Sequence, residues 1–326
     1  MRVKITGTGS AVPARKVSNE ELSRFVETSD EWIKSRTGIR SRYLAVEETT
    51  TDLAVEAAEK ALADAEMKAE ELDLILAATV TPDKYLPNLA CEVQSALGAR
   101  QAVAFDVNAA CSGFLFGMQT AFAYLSCGIY KNALIIGAET LSRLMDWTDR
   151  STCVLFGDGA GAAVLSAGES ETGGRGILSM LQGSDGARGN VLCCDNRPIQ
   201  NPYVSRKNDS PAYVAMNGQE VYKFAVRTVP DAVVHVTGQA GLALDDIDLF
   251  LLHQANYRII EAVAKRLGQP MEKFPTNLQE CGNISAASVP ILLDNVKSRG
   301  MIKPGSKLVL TGFGAGLTWG AVALEW

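Results

Sequence analysis

Histidine is scarce: the chain has two, His235 and His253, and it has no Cys-x-x-Cys pair. A structural zinc site needs four thiolate or imidazole ligands at loop spacings, so no metal site is expected. Basic residues are not in excess, with 31 Lys and Arg against 37 Asp and Glu and a net charge of −6. That balance argues against a chain that binds nucleic acid over its whole surface. No apolar run approaches the roughly 20 residues of a membrane-spanning helix. The apolar start is too short for a secretory signal and is broken by Lys4, Gly7 and Gly9. These absences together predict a cytoplasmic protein with neither a membrane nor a nucleic-acid partner. In a reducing compartment its seven cysteines are free thiols.

What is present is globular. The 326 residues, 47% hydrophobic and 21% charged, are enough for one large domain or two ordinary ones. Buried strands are predicted at 2–8, 71–81, 102–107, 132–137 and 156–165, and again at 245–253, 307–311 and 318–325. Helices are predicted at 19–27, 30–36, 50–65, 89–97, 111–121, 216–238, 256–267 and 284–298. This alternation predicts a layered α/β fold with largely parallel sheets. Residues 184–212 are polar and irregular, which reads as an excursion over the surface. Gly7-x-Gly9 lacks the third glycine of a dinucleotide fingerprint. Gly157-x-Gly159-x-Gly161 precedes no helix pattern, so close backbone packing explains it better than a phosphate loop.

The chain repeats itself. Glu71-Leu-Asp-Leu-Ile-Leu-Ala-Ala78 matches Asp246-Ile-Asp-Leu-Phe-Leu-Leu-His253, an offset of 175 residues. Lys131-Asn-Ala-Leu-Ile-Ile-Gly137 matches Ser306-Lys-Leu-Val-Leu-Thr-Gly312 at the same offset. Two segments sharing one offset point to two similar halves, 1–168 and 169–326, with the boundary in the Gly-, Glu-, Ser- and Thr-rich stretch near 168–175. Strand ends of the two halves then converge at their interface, the usual place for a site in an open α/β sheet.

Three residues sit at such ends. Cys111 lies where a buried strand gives way to a helix, and the free N–H groups and dipole of a helix start favour a thiolate. A packed structural cysteine is equally compatible with that stretch alone. His253 closes the strand run Leu249-Phe-Leu-Leu-His253, where a lone histidine is ordinarily a satisfied core residue. Asn283 stands in Cys281-Gly-Asn283-Ile-Ser-Ala-Ala-Ser288, where Asn also serves as a helix cap. As a set they suit acyl transfer: a soft nucleophile with two N–H donors for a thioester oxygen that gains charge. The glycine-rich loop Thr311–Gly320 can supply a backbone donor for an oxyanion, although a plain glycine-rich hairpin would look the same.

Asn108-Ala-Ala-Cys111-Ser-Gly-Phe, His253-Gln-Ala-Asn256, Gly282-Asn283-x-Ser-Ala-Ala-Ser288 and Gly312-Phe-Gly-Ala-Gly-x-Thr-Trp-Gly320 together resemble the β-ketoacyl-acyl carrier protein synthase III family. Thr28-Ser-Asp-Glu-Trp-Ile-x-x-Arg36-Thr-Gly-Ile-Arg40 and Phe156-Gly-Asp-Gly-Ala-Gly161 resemble it too. The resemblance implies the thiolase fold, a five-layered αβαβα sandwich of two duplicated halves, in a homodimer. It implies an acyltransferase that starts type II fatty acid synthesis by condensing an acyl-CoA primer with malonyl-acyl carrier protein (ACP), with no permanently bound cofactor. On that likeness Cys111 takes the acyl group, and His253 and Asn283 act on the malonyl thioester. The N–H groups of Cys111 and Ala315 hold the oxyanion, Ala315 standing where relatives commonly have glycine. Phe313 and Leu86 belong to the acyl pocket, with Leu86 reaching the partner subunit and replacing the phenylalanine of some relatives. Trp32, Arg36 and Arg150 match the CoA contacts; without the motif they are a surface tryptophan and ordinary salt-bridge residues. Lys223, Arg258, Lys265 and Arg266 match the ACP contacts; Lys265-Arg266 alone is a solvated helix face. Three alternatives stand beside this reading: a related condensing enzyme of secondary metabolism, a non-catalytic acyl-binding protein, and a redox protein using the vicinal pair Cys193-Cys194.

Overall fold

A computed structural model of the chain describes residues 2–168, 176–196, 198–199, 201–204 and 212–326. Strands β1 (Arg2–Ala11), β2 (Leu74–Ala78), β3 (Val103–Val107), β4 (Asn132–Thr140) and β5 (Asp158–Gly168) form a sheet in the order β1-β5-β4-β2-β3. Strands β6 (Gly176–Ser184), β7 (Leu249–Leu252), β8 (Lys307–Gly314) and β9 (Thr318–Glu325) form a second, in the order β7-β8-β9-β6. The fully apolar segments β2, β4 and β8 take interior positions, and the half-exposed β3 lies at an edge.

Alternating strand residues serve two cores. Leu74 and Leu76 of β2 face inward, onto helices α4 (Gly113–Ser126) and α7 (Ser288–Ser298), which lie between the sheets. Leu308 and Leu310 of β8 meet the same two helices from the other side. Ile75 and Ala77 face outward, onto α2 (Thr50–Asp64) and α3 (Leu89–Leu97). Phe250 of β7 and Val309 of β8 face outward onto α5 (Gly218–Gln239) and α6 (Tyr257–Leu267). The layers therefore run α, β, α, β, α, as expected. Helix α4 is apolar nearly all round because both of its faces are covered.

The expectation of largely parallel sheets is corrected. Only β2–β3, β2–β4 and β7–β8 pair in parallel among the described strands; β1–β5, β4–β5, β8–β9 and β6–β9 are antiparallel. A parallel pair needs a crossover of a dozen or more residues, and only 315–317 separate β8 from β9. The predicted helix at 19–27 covers only Asn19–Leu22, and its continuation tightens into turns. Residues 169–175 of the predicted boundary and 205–211 of the irregular excursion lie outside the described residues.

The repeat extends to fine detail. Short 3-10 turns at Ala110–Ser112 and Ser285–Ala287 lead into α4 and α7 and touch each other between the sheets. Gly312 of β8 packs on the carbonyl of Cys111, and Gly137 of β4 packs on that of Ala286. A Cβ at Gly137 would stand 2.3 Å from the Ala286 oxygen.

Candidate active site

Cys111, His253 and Asn283 line one cavity of about 650 Å³. Each is placed by its element. Cys111 follows β3 and sits in the turn that opens α4. His253 follows β7, and its backbone N–H donates to the Thr311 carbonyl at 2.8 Å, extending the β7–β8 pairing by one rung. Asn283 is held on both sides of its backbone. Its N–H donates to Leu155 O at 2.9 Å, and its carbonyl accepts from Gly157 N–H at 2.9 Å. Its Oδ1 accepts from Ser285 N–H at 2.9 Å, an acceptor role that leaves the two Nδ2 hydrogens available as donors. Asn283 therefore caps a turn, as its residue type allows, while keeping its donors free for the cavity. All three side chains are buried.

Burial sets the protonation states. It pushes the His253 imidazole down to about 3, so the ring is neutral. Nδ1 is buried without a hydrogen-bond partner among the described residues, and Phe313 packs edge-on at 5.4 Å. Burial pushes the Cys111 thiol up to about 12, with the charge of Glu139 acting in the same direction and the Ser285 hydroxyl against it. The expected thiolate is corrected. The helix-start N–H groups are there, but desolvation outweighs them, and the resting group is a thiol.

A second cavity of about 970 Å³ meets Cys111 from its other side. Thr81, Leu141, Leu144, Phe156, Leu192 and Val214 form part of its wall, and Ala315 lines it beside Cys111. Cys111, Phe156 and Leu192 belong to both cavities and stand between them. The described part of 184–212 is thus more than a surface excursion. Leu192–Cys193 pairs with Ala215–Met216, and residues 192–196 wall this cavity. The pairing places Leu192, with Val191 and Cys193 beside it in sequence, in the wall of both cavities.

The residues matched by the description 3-oxoacyl-[acyl-carrier-protein] synthase III are 105–186, and those matched by its C-terminal part are 238–326. A β-ketoacyl-[acyl-carrier-protein] synthase III of Clostridium acetobutylicum is 48% identical over 324 residues, covering 99% of this chain and 98% of that protein. One from Acaryochloris marina is 49% identical over 326 residues, covering 99% and 97%. The crystal structure of the Aquifex aeolicus 3-oxoacyl-[acyl-carrier-protein] synthase III superposes with a TM-score of 0.92 at 44% identity, covering 99% of this chain and 100% of that one. The priming β-ketosynthase of the R1128 polyketide pathway superposes at 0.93 with 35% identity, covering 99% and 96%.

The chain belongs to the 3-oxoacyl-[acyl-carrier-protein] synthase III family. It is a condensing acyltransferase of the thiolase fold.

The other residues matched to the family fall into three groups. Trp32, Arg36 and Arg150 come together, with the guanidinium of Arg36 4.8 Å and that of Arg150 5.1 Å from the Trp32 ring. Arg36 also lines the first cavity, at the end where Lys223 and Arg258 stand. Lys265 and Arg266 lie further along α6, exposed and away from the cavity, and Arg266 pairs with Asp231 at 3.2 Å. Leu86 is 87% exposed and lines neither cavity of the single chain.

Two residues near Cys111 escaped the sequence reading. Glu139 is the one charged residue in the strand Asn132-Ala-Leu-Ile-Ile-Gly-Ala-Glu-Thr140 and is wholly buried. A lone acid inside an apolar strand was the available signal. Ser285 holds a positive φ of 44° and lines the second cavity.

Proposed function

We propose that this synthase transfers the acyl group of an acyl-CoA to Cys111 and condenses it with malonyl-ACP, the step that initiates type II fatty acid synthesis. The observation that carries this reading is the shared cavity of Cys111, His253 and Asn283. The Cys111 sulfur attacks the acyl thioester, and CoA leaves. The Trp32, Arg36 and Arg150 cluster holds the adenine end of CoA, since indole and guanidinium stack on a purine and Arg binds phosphate. Malonyl-ACP then enters the same cavity, with the acidic carrier docking on Lys223, Arg258, Lys265 and Arg266. The neutral His253, as the Nε2–H tautomer, and Asn283 Nδ2 donate to the malonyl thioester oxygen. Carbon dioxide departs, and its bonding electrons form an enolate held by those two donors. The enolate carbon attacks the acyl-Cys111 carbonyl, whose oxyanion rests on the N–H groups of Cys111 and Ala315. Collapse breaks the carbon–sulfur bond and returns the sulfur as a thiol.

The acyl chain lies in the second cavity, with Leu86 of a partner subunit at its outer end; Phe313, matched to the acyl pocket, lines the first cavity beside His253 instead. A homodimer is supported by the half-exposed edge strand β3 and by exposed Tyr85 and Leu86 beside the cavity rim. The chain works in the cytoplasm as two duplicated halves, 1–168 and 169–326, with no permanently bound cofactor. The likeness to a polyketide priming ketosynthase supports the alternative, a related condensing enzyme of secondary metabolism. Mass spectrometry after incubation with mixed acyl-CoAs tests the main reading: one acyl adduct on Cys111, absent from Cys111→Ala. Product analysis with malonyl-ACP separates the two pathways.

A further inference from the structure

Glu139 is buried beside the nucleophile, outside the set Cys111, His253 and Asn283. Its Oε2 accepts from Thr81 Oγ1 at 2.7 Å, Val80 N–H at 3.1 Å and Thr79 Oγ1 at 3.3 Å. Its Oε1 is buried with no hydrogen-bond partner among the described residues. The 285–287 turn packs on β4, and its Ser285 hydroxyl and Ala286 N–H both favour the ionised carboxyl. The same Ser285 hydroxyl acts on the Cys111 thiol. Ser285 lines the second cavity together with Cys111, on a turn that packs against both β4 and the 110–112 turn, and its N–H donates to Asn283 Oδ1.

We propose that Glu139, acting through the Ser285 hydroxyl, takes up and stores the Cys111 proton during acylation and returns it during condensation. The inference rests on Cys111 being the acyl acceptor. As the Cys111 sulfur bonds to the acyl carbon, its S–H bond breaks and the proton passes to Ser285 Oγ. The Ser285 proton passes to Glu139 Oε1, and the departing CoA thiolate is protonated by solvent. In condensation the carbon–sulfur bond of acyl-Cys111 breaks, and the stored proton returns along the same path to the sulfur. One solvent proton is consumed per turnover, as decarboxylation of a malonyl thioester requires.

The surrounding charges leave this exchange to the pair. Cys111 is the titratable group coupled to Glu139. Asp158 on the neighbouring strand is held by the N–H groups of Ala45 and Ser142, and Asp83 and Arg143 at the cavity rim hold each other. His253 is too weak a base for a thiol proton, being neutral down to about pH 3. Burial raises Glu139 to about 7, where a carboxyl can both accept and return a proton at neutral pH.

The test is the pH profile of single-turnover acylation by acetyl-CoA, in the full-length protein, for wild type, Glu139→Gln and Ser285→Ala. Melting curves and circular dichroism report folding. Wild type shows a rise with an inflection near pH 7. Both variants lose that inflection and acylate about 100-fold more slowly at pH 8. If Glu139→Gln fails to fold, Ser285→Ala decides alone; alanine already adopts this φ at Ala110, where φ is 45°. An unchanged inflection in a folded variant overturns the proposal. The acyl-adduct mass of Cys111→Ala reports separately whether Cys111 is the acceptor.

Discussion

Ala110 and Ser285 hold the same backbone irregularity, φ of 45° and 44°, at matching points of the two strand–helix series. Neither is a glycine, so each turn carries strain that its surroundings must hold. Each turns the chain sharply into a helix between the sheets. The residue after the first is Cys111, and the residue after the second is Ala286. The repeat thus built one helix-start turn twice, and only one copy carries a thiol. The strand residue that faces each turn differs too: Gly314 packs against Cys111, and Glu139, at the matching position of β4, packs against Ser285 and Ala286.

Gly314 is required by that packing. A Cβ at this position would stand 2.8 Å from both the nitrogen and the Cβ of Cys111. Gly314→Ala is expected to displace the turn, destabilise the protein by about 1–3 kcal/mol and slow acyl-adduct formation at least about 10-fold. Gly238→Ala, in open space on α5, is the control and leaves adduct formation unchanged. Melting curves and the burst of CoA release check both; equal behaviour of the two variants removes the assignment.

His253 and Asn283 separate from Cys111 in the half-reactions. His253→Ala and Asn283→Ala are expected to lower malonyl-ACP decarboxylation by roughly 100- to 1,000-fold, the cost of losing an oxyanion donor. Acyl-Cys111 still forms in both. Carbon dioxide release and intact-protein mass measure the two steps independently. Loss of the adduct in either variant would contradict the division of labour.

Much of this was legible in the sequence. The 3.6-residue and 2-residue periods placed the main helices and strands, and the common offset of the repeat pointed to convergent strand ends. Strand direction was not legible, because a short apolar run such as Ala133–Ile136 reads alike in both orientations. Leu192 was hidden for a different reason: it lies inside a stretch, 184–212, that is polar overall, and the pairing with Ala215–Met216 places it in the cavity wall. The ionisation of Cys111 also escaped, since the helix start is local in sequence and the desolvation that opposes it is not.

Stability against pH follows from two buried groups with opposite slopes. The His253 imidazole is pushed down to about 3 from an ordinary 6.5, so the unfolded chain binds the extra proton between those values. Its contribution is present above pH 6.5 and is lost as pH falls towards 3. The Glu139 carboxyl is raised from 4.5 to about 7, so its contribution is present below pH 4.5 and is lost as pH rises to 7. Denaturant unfolding across this range is expected to show stability falling less on acidification in His253→Gln than in wild type. A steeper acid loss in the variant would contradict a neutral buried His253.

Leu86 bears on primer choice. It is 87% exposed in one chain, so Leu86→Phe leaves the fold intact. A bulkier side chain reaching the partner's acyl cavity is expected to lower rates with isobutyryl- and hexanoyl-CoA relative to acetyl-CoA by roughly 10-fold. Unchanged ratios among the three primers would place Leu86 outside the cavity of the assembled protein.

The two cavities that meet at Cys111 have a consequence for the order of events. Only the cavity lined by Arg36 and Arg258 also holds His253 and Asn283, so on the proposed mechanism the arms of CoA and of the carrier protein compete for one passage. On the proposed mechanism the acyl chain waits in the other cavity that Cys111 lines, out of that passage. The first product must clear the passage before the second substrate can enter. Double-reciprocal plots at varied concentrations of both substrates should therefore run parallel, and excess malonyl-ACP should slow priming by occupying the passage too soon.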